Sequence, residues 1–232
     1  MDTVIDAHDL VKTYDAGTVP VHALDHVHLH IVEGEFIALK GPSGSGKTTL
    51  LNMIGGLDRP DSGHVLIGGV NITAMKENEL IDFRLRNIGF VFQAYNLIPV
   101  LTAYENVEFI MLLQKRPAAE RLSRVRELLT DVGLADKSDK RPSELSGGQQ
   151  QRIAVARALA PKPRFILADE PTANLDSASA SNLLDIMARL NRDEHMTFIF
   201  STHDQRVIDR ARRVITLEDG KVVSDETRRD ET

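Results

Sequence analysis

The clearest chemical signal in this sequence is a glycine-rich run that ends in a lysine and two threonines. The run, GPSGSGKT at 41–48 followed by Thr49, matches the phosphate-binding pattern G-x-x-x-x-G-K-[ST], with an additional glycine at Gly44. Glycines let backbone N–H groups turn toward an anion because no side chain stands in the way. Lys47 adds a positive charge for the phosphates, and the Thr48 hydroxyl can ligate Mg²⁺. The predicted phosphate-binding residues are Gly41, Pro42, Ser43, Gly44, Ser45, Gly46, Lys47, Thr48 and Thr49. The alternative interpretation is a glycine turn without a ligand.

A second signal is a pair of carboxylates, Asp169 and Glu170, directly after the apolar run 165–168. We predict a buried strand for that run, and the carboxyl ends of strands in α/β sheets are where ligands bind. Asp169 could hold Mg²⁺, and Glu170 could polarise a water molecule that attacks a phosphate. An apolar strand ending in Asp-Glu is common, so the pair is informative only because a phosphate loop precedes it.

A second glycine pair lies in LSGGQ at 145–149, just before a predicted helix. A hydroxyl and closely approached backbone N–H groups at a helix N-terminus form an anion site. The residues of this motif are Leu145, Ser146, Gly147, Gly148 and Gln149. The alternative is that the serine only caps the helix.

Apolar periodicity predicts strands and helices that alternate on both sides of a mainly helical segment. The predicted strands are 3–14, 21–32, 36–40, 65–67, 88–92, 165–168, 196–201 and 214–217, and the predicted helices are 47–54, 104–113, 118–132, 148–160, 177–190 and 205–211. Such alternation indicates an α/β domain with a mostly parallel sheet. We expect a core formed by 1–92 and 163–223 with a small N-terminal antiparallel layer, a helical subdomain at 93–162, and a frayed polar tail at 224–232.

Composition narrows the class of protein. The 232 residues are 42% hydrophobic and 27% charged, as in a soluble globular domain. The net charge of −6 argues against a general nucleic-acid binder, and the absence of cysteine excludes disulfides and thiolate metal sites. No apolar run approaches the roughly 20 residues that cross a bilayer, and the N-terminus has no signal-peptide pattern. A cytosolic protein is expected.

Three further features stand in a fixed order with these motifs: Gln93 after the run GFVF, NLD at 174–176, and His203 in STHD. With this set the chain resembles the ATP-binding cassette (ABC) ATPases, from about Val4 to Val223. The resemblance implies a P-loop NTPase fold that binds ATP and Mg²⁺ and hydrolyses ATP.

The resemblance also assigns roles to single residues. Tyr14 would stack on adenine, Gln93 would contact Mg²⁺ and the attacking water, and His203 would contact the γ-phosphate. The implied catalytic residues are Lys47, Gln93, Glu170 and His203, and the implied magnesium ligands are Thr48, Gln93 and Asp169. Taken singly, a histidine is more often a surface or capping residue, and a tyrosine is more often a packing residue.

In this family the LSGGQ motif of one subunit closes on ATP that the other subunit holds. The resemblance therefore implies a head-to-tail homodimer with two ATP molecules between the subunits, with Asp176 at the interface. ATP binding would close this dimer and hydrolysis would open it.

The segments 52–65, 88–109 and 168–176 resemble one branch in particular, the lipoprotein-releasing and macrolide-export ATPases. This implies a membrane permease as partner and a peripheral position at the cytoplasmic face of the inner membrane. The residues expected to contact the permease are Tyr95, Asn96, Leu97, Ile98 and Tyr104. Leu97 and Ile98 could instead pack inside the helical subdomain.

Two other functions stay open from sequence: an ABC ATPase that regulates a non-transport membrane complex in cell division or peptide sensing, and a soluble ABC ATPase of translation or DNA repair. The cargo is not determined, because in this family the membrane partner selects it. Ala173 and Ser201 depart from the glycine and the aliphatic residue that are usual in the branch. We expect them to affect fine geometry but not activity.

His26, His28 and His30 share one face of a predicted strand. Three aligned imidazoles could ligate a metal. We expect a solvated strand face instead, because no neighbouring carboxylate or cysteine pattern completes a site.

Overall fold

The computed structural model describes residues 2–15 and 20–228. The elements of the first part are β1 Thr3–Asp15, β2 Pro20–Val32, β3 Phe36–Lys40, α1 Lys47–Ile54, β4 Ser62–Ile67, β5 Val70–Asn71, α2 Glu77–Asn87 and β6 Ile88–Val91. Those of the second part are α3 Ala103–Leu113, α4 Ala118–Asp131, α5 Gly147–Leu159, β7 Phe165–Asp169, α6 Ser177–Glu194, β8 Thr197–Ser201, α7 Gln205–Arg210, β9 Arg213–Glu218 and β10 Lys221–Thr227. Two short 3-10 helices, Ala135–Lys137 and Pro142–Glu144, lie between α4 and α5.

The central sheet has six strands in the order β10-β9-β3-β8-β7-β6. All neighbours in it are parallel except β10, which pairs antiparallel to β9. Alternate side chains enter two different apolar cores, as the pleat requires. Phe198 and Phe200 face one core and Ile199 faces the other. The predicted α/β fold with a mostly parallel sheet is confirmed.

The N-terminal layer is a second sheet, antiparallel, in the order β2-β1-β4-β5. Its inner side chains, among them Leu29 and Ile31 of β2, pack in one core with Leu50 and Ile54 of α1. This layer therefore presses α1 against the central sheet, which fixes the loop that precedes α1.

Helices α3, α4 and α5 lie between β6 and β7 in the chain and pack against the other face of the central sheet. A fully buried amide supports the start of this segment. Asn106 of α3 donates to the carbonyls of Ile98, Leu101 and Thr102 and accepts from the Ile98 N–H at 2.8 Å. The loop before α3 is thereby held by internal hydrogen bonds, as buried polar groups require.

Three of these strands and α-helices, α2, β5 and β10, were not predicted, and one prediction was wrong. Helix α2 has one buried residue, Leu80, and β5 is two residues long. The tail expected to fray from Ser224 instead forms the end of β10 up to Thr227. There the Arg213 guanidinium binds the Asp225 carboxylate in a bidentate pair, with both N–O distances 2.7 Å. Residues 229–232 of the expected tail lie outside the described residues.

None of the helices in the described ranges is both long and apolar enough to cross a membrane.

Candidate functional site

The glycine loop connects the end of β3 to the start of α1, as predicted. Gly46 lies immediately before α1 with a φ of 100°, a conformation that L side chains rarely adopt. A Cβ at this position would lie 2.3 Å from the carbonyl oxygen of Ala23, on β2. The N-terminal layer therefore contacts the loop directly, and only glycine fits there. No side chain caps the helix, so its first N–H groups and the positive end of its dipole are available to an anion.

The two charged and polar side chains at the loop's end are oriented by short contacts. The Lys47 ammonium, mostly buried, donates to the carbonyls of Gly41 and Pro42 at 2.8 Å each. The Thr48 hydroxyl donates to the two carboxylate oxygens of Asp169 at 3.2 and 3.3 Å. Thr48 and Asp169 thus place hard oxygen atoms together, which is the ligand type that Mg²⁺ prefers.

Glu170 turns away from Asp169 because the backbone changes hand between them. Its φ of 46° lies in the left-handed region, which costs a non-glycine residue about 1–2 kcal/mol. The turn brings Glu170 to the segment after β8. There Oε2 accepts from the Thr202 hydroxyl at 3.1 Å, and Oε1 lies 2.7 Å from Nδ1 of His203, which must donate. Asp169 and Glu170 are therefore adjacent in sequence and serve different partners.

One cavity of about 590 Å³ brings the predicted residues together. Its lining consists of Ala23, Gly41, Pro42, Ser43, Gly44, Gly46, Lys47, Thr48, Thr49, Gln93, Glu170, Ala173, Ser201 and His203. Gln93 comes from the end of β6, Glu170 from the end of β7 and His203 from the end of β8, so the edge of the parallel sheet assembles them. Ser45 is buried behind the loop, and Asp169 reaches the site through Thr48.

Tyr14 is on β1 and is not among the residues that line this cavity. Its hydroxyl donates to an Asp58 carboxylate oxygen at 2.8 Å, and the Lys12 ammonium lies 5.2 Å from the ring centroid. Burial, and after it the hydrogen bond to Asp58, raise the pKa of the Tyr14 phenol. The Asp58 and Lys12 contacts thus engage the hydroxyl and one face of the Tyr14 ring. Stacking of the ring on adenine stays a prediction.

Ser146 of the LSGGQ motif caps α5. Its side chain accepts from the Gln149 N–H at 3.3 Å, while the Gln149 side chain accepts from the Ser146 N–H at 2.9 Å. This reciprocal pair is a capping box, so Ser146 does cap the helix, and the anion-site role of the motif stays a prediction. None of residues 145–149 lines the cavity described above. The phosphate loop and LSGGQ of one chain therefore do not share a site.

Three residues that the sequence did not single out for this purpose tie the Gln93 loop to the later motifs. Asn174 donates to the carbonyl of Gln93 at 3.0 Å, and Tyr95 donates to the carbonyl of Asn174 at 3.4 Å. Arg157 of α5 donates to the carbonyl of Tyr95 at 3.1 Å. A Cβ added to Gly147 would lie 2.6 Å from the Tyr95 hydroxyl oxygen, so Tyr95 packs closely against the LSGGQ motif. Asn174 is the first residue of the NLD motif and Tyr95 lies two residues after Gln93, whereas no motif marks Arg157.

The residues expected to contact a permease lie in different surroundings. Tyr95 contacts the LSGGQ motif, and Leu97 and Tyr104 pack against the apolar core, which for Leu97 is the alternative stated above. Ile98 is half-buried, with its backbone held by Asn106. Of the five, only Asn96 lines an open, mostly apolar groove next to the Gln93 loop.

Asp176 caps α6 by accepting from the N–H groups of Ala178 and Ser179 at 3.0 and 2.9 Å. The Ser179 hydroxyl also donates to it, at 2.6 Å, and this bond lowers the pKa of the Asp176 carboxyl. The side chain is exposed at the surface. An interface role for Asp176 stays a prediction.

The His203 segment is fixed by Asp204, which the sequence did not identify as a functional residue. Its carboxylate accepts from the Thr172 hydroxyl at 2.7 Å, so it joins the segment after β8 to the one after β7. Arg206 forms a bidentate pair with the same carboxylate. The Arg206 hydrogen bonds lower the pKa of Asp204 to about 2.

The histidine face of β2 has neighbours that the sequence did not predict. His26 Nδ1 lies 2.7 Å from an Asp9 oxygen, and that hydrogen bond raises the pKa of His26. His30 Nδ1 lies 3.7 Å from an Asp6 oxygen, so carboxylates accompany these histidines, which are all exposed as expected. Within the described residues, the ligand atoms that converge closely enough for a metal belong to Glu127, Asp131 and Glu194 and not to these histidines.

The geometry agrees with comparisons to known proteins. A family model described as ABC transporter matches residues 24–173. The chain is 47% identical over 215 residues to the lipoprotein-releasing system ATP-binding protein LolD of Anaeromyxobacter dehalogenans, covering 92% of this chain and 90% of LolD. It is 46% identical over 227 residues to the macrolide export ATP-binding/permease protein MacB of Brucella abortus, covering 98% of this chain and 35% of MacB.

A solved structure has a closely similar fold. The ATP-binding cassette MJ0796, in a dimeric post-hydrolysis state bound to ADP and Pi, has a TM-score of 0.89 and 43% identity, covering 97% of this chain and 99% of that one. The resemblance inferred from the motifs is confirmed. The chain belongs to the ABC transporter family, as one of its ATP-binding, ATP-hydrolysing subunits.

Proposed function

We propose that this chain is the ATPase of a membrane exporter of the lipoprotein-release or macrolide-export type. The observation that carries the proposal is the single cavity that joins the phosphate loop to Gln93, Glu170 and His203. The similarity to LolD and MacB supports the export branch.

In the proposed reaction each residue has one task. The loop N–H groups and Lys47 bind the phosphates of ATP. Thr48, Asp169 and Gln93 would hold Mg²⁺, which would supply positive charge to neutralise the phosphates. Glu170 orients the attacking water and accepts its proton, since the carboxylate opens onto the cavity beside His203. His203 donates to that carboxylate through Nδ1. To donate to a γ-phosphate oxygen as well, its Nε2 must also carry a proton, so the ring would act there as the imidazolium.

We further propose that the working unit is a two-fold homodimer. The LSGGQ motif presents a capped helix N-terminus that the chain's own cavity does not use. A second copy, placed head-to-tail, would bring this N-terminus to the partner's ATP and complete both sites. The dimeric state of MJ0796 supports this arrangement.

The permease would dock in a groove of about 630 Å³ next to the Gln93 loop. Its lining is mostly apolar and consists of Leu57, Ile81, Arg84, Leu85, Ile88, Gly89, Phe90, Phe92, Asn96, Ile110, Leu113, Arg157, Ala158 and Pro161. Leu57, Ile81 and Leu113 leave between 45% and 50% of their surface exposed. An amphipathic helix of a membrane partner is the occupant that such a groove fits. The ATPase would then lie peripherally at the cytoplasmic face of the inner membrane.

The loop that contains Gln93 borders both the ATP cavity and the groove. A change in this loop at one site would therefore be felt at the other. Gln93 lies in the cavity and Asn96 lies in the groove. Arg157, half-buried, donates to the carbonyls of both Tyr95 and Asn96. Movement of Gln93 toward the nucleotide would therefore displace the wall of the groove.

The test is a pull-down from detergent-solubilised native membranes with tagged Glu170→Gln protein and Mg-ATP, which should bind ATP without hydrolysing it. The proposal expects a stoichiometric permease with several membrane spans and a large extracytoplasmic domain. A matched control carries Lys47→Ala in addition, which should bind no ATP. A cell-division or sensory membrane complex would support the regulatory alternative, and ribosomal or DNA-repair partners alone would overturn the transporter assignment.

A further inference from the structure

Ser201, the last residue of β8, carries a hydroxyl that has no hydrogen-bond partner among the described residues. The residue is 1% exposed, and its Oγ makes no hydrogen bond in the described structure. Thr202, the next residue, is different: its hydroxyl donates to Glu170. Ser201 nevertheless lines the ATP cavity together with Lys47 and Thr48. A buried hydroxyl therefore borders the site where the nucleotide is bound.

The register of the sheet defines what this hydroxyl is next to. Ser201 is the direct neighbour of Asp169 on β7 and of Leu39 on β3, the strand that leads into the phosphate loop. Because side chains alternate along a strand, Ser201 points to the same face as Ile199, which packs in the core of α1. Asp169, on this face of β7, meets Thr48 at the start of α1. Ser201 therefore lies beside the two oxygen ligands proposed for Mg²⁺.

Physical chemistry makes such a hydroxyl unfavourable unless a ligand satisfies it. Buried polar groups in folded proteins nearly always have a hydrogen-bond partner, and an unsatisfied one destabilises the fold. An aliphatic side chain at the same place would pack on Leu39 and Ile199 without that penalty. The hydroxyl is best explained by a partner that is an oxygen atom in the cavity.

We propose that the Ser201 hydroxyl donates a hydrogen bond to the oxygen shell of the Mg²⁺–nucleotide complex that Thr48 and Asp169 hold. It is a positioning residue: it acts on the metal's water or phosphate oxygens through their placement and takes no part in bond breaking. This inference rests on the proposed ATPase function and names a residue of that same site.

The experiment compares two substitutions of nearly the same shape. Ser201→Thr keeps the hydroxyl and adds a methyl group. Ser201→Val adds the same methyl group and has a second methyl group in place of the hydroxyl. We would titrate Mg²⁺ against binding of the fluorescent probe trinitrophenyl-ATP to the full-length protein. Loss of one hydrogen bond predicts a half-saturating Mg²⁺ concentration about three- to tenfold higher for Ser201→Val, and a value within about twofold of the wild type for Ser201→Thr.

A second measurement separates this role from a packing role. Without nucleotide, removal of an unsatisfied hydroxyl should leave the thermal midpoint of Ser201→Val unchanged or raise it by about 2–4 °C. With Mg-ATP the same variant should gain less thermal stability than the wild type. Ser201→Ala, which removes the hydroxyl without adding volume, should follow Ser201→Val in the Mg²⁺ titration.

Equal Mg²⁺ dependence in the Thr, Val and Ala variants would overturn the inference and leave the ATPase function intact. If the wild-type protein itself bound the probe with no response to Mg²⁺, the proposed function would be at fault.

Discussion

The ATP cavity and the apolar groove are of similar size, about 590 and 630 Å³, but the residues that line them differ in type. The cavity is lined by glycines, strand ends and single catalytic groups, whose spacing is visible in the sequence. The groove is lined by apolar side chains from α2, β6, α3 and α5, and no motif marks it. The difference is chemical: binding phosphate requires particular backbone turns, whereas binding an apolar helix requires only shape and exposed carbon.

Substitution of Lys47 should have the largest effect and should act on the cavity alone. Lys47→Ala removes the ammonium that lies among the loop carbonyls, so ATP hydrolysis should fall by at least about 100-fold. Lys40→Ala, at the exposed end of β3, is the matched control and should keep full activity. An enzyme assay of phosphate release measures both. Comparable activity in the Lys47 variant would place the nucleotide elsewhere.

Substitution in the groove should separate partner binding from ATP hydrolysis. Leu113→Asp puts a charge on an exposed apolar wall, so recovery of the permease in the pull-down should fall about tenfold or more. Hydrolysis by the isolated subunit should not change. The control is Val223→Asp, on the exposed face of β10 and similarly exposed at 53%. Retention of the permease by the Leu113 variant would show that the groove is not the docking surface.

Substitution of Asp204 tests how strongly the segment after β8, which carries His203, is held at the ATP cavity. Its pKa of about 2 lies below the ordinary value of 3.8, so the folded state prefers the ionised carboxyl. Asp204→Asn should lower the free energy of unfolding by about 2 kcal/mol near neutral pH. Because the folded-state pKa is depressed, this difference should be constant above about pH 5 and shrink as the pH falls from 4 toward 2. Urea unfolding of both proteins between pH 7 and 3 measures it, and a difference that stays constant down to pH 3 would contradict this assignment.

The smallest expected effect concerns the loop between the two surfaces. Gly147→Ala would put a Cβ 2.6 Å from the Tyr95 hydroxyl, which should destabilise the protein by about 1–2 kcal/mol. Tyr95→Phe removes that oxygen, and the nearest ring carbon is then 3.5 Å away, an ordinary contact. The double variant should therefore recover most of the loss in a urea-unfolding cycle. Additive effects would mean that Tyr95 does not hold the LSGGQ motif.

The features predicted correctly belong mostly to the ATP cavity, and those predicted poorly lie at the groove or at the C-terminal end. The bounds of β3 and α1 were predicted to the residue, because an apolar run, a glycine loop and a helical run follow one another without interruption. Helix α2 was missed because its apolar residues are divided: Leu80 and Phe83 pack on the core, whereas Ile81 and Leu85 line the groove, so no single apolar face marks it. Of the groove next to the Gln93 loop, the sequence predicted Asn96 but not the wall that α2 forms. The frayed tail was a wrong expectation because the pairing of β10 with β9 depends on a distant arginine, Arg213.

By itself the sequence determined the α/β class, the phosphate loop, the two carboxylates and the family. These follow from local rules. Glycine permits particular turns, the spacing of apolar residues distinguishes helix from strand, and the end of a strand places a carboxylate at the edge of the sheet. Only the tertiary structure decided that Tyr95 faces Gly147 and that Asp204 binds Thr172. It also decided that the Ser201 hydroxyl, beside Asp169, has no partner in the part of the chain that the structure describes. Each of these depends on side chains far apart in the chain, whose contact is set by the packing of the sheet and helices and leaves no periodic mark in the sequence.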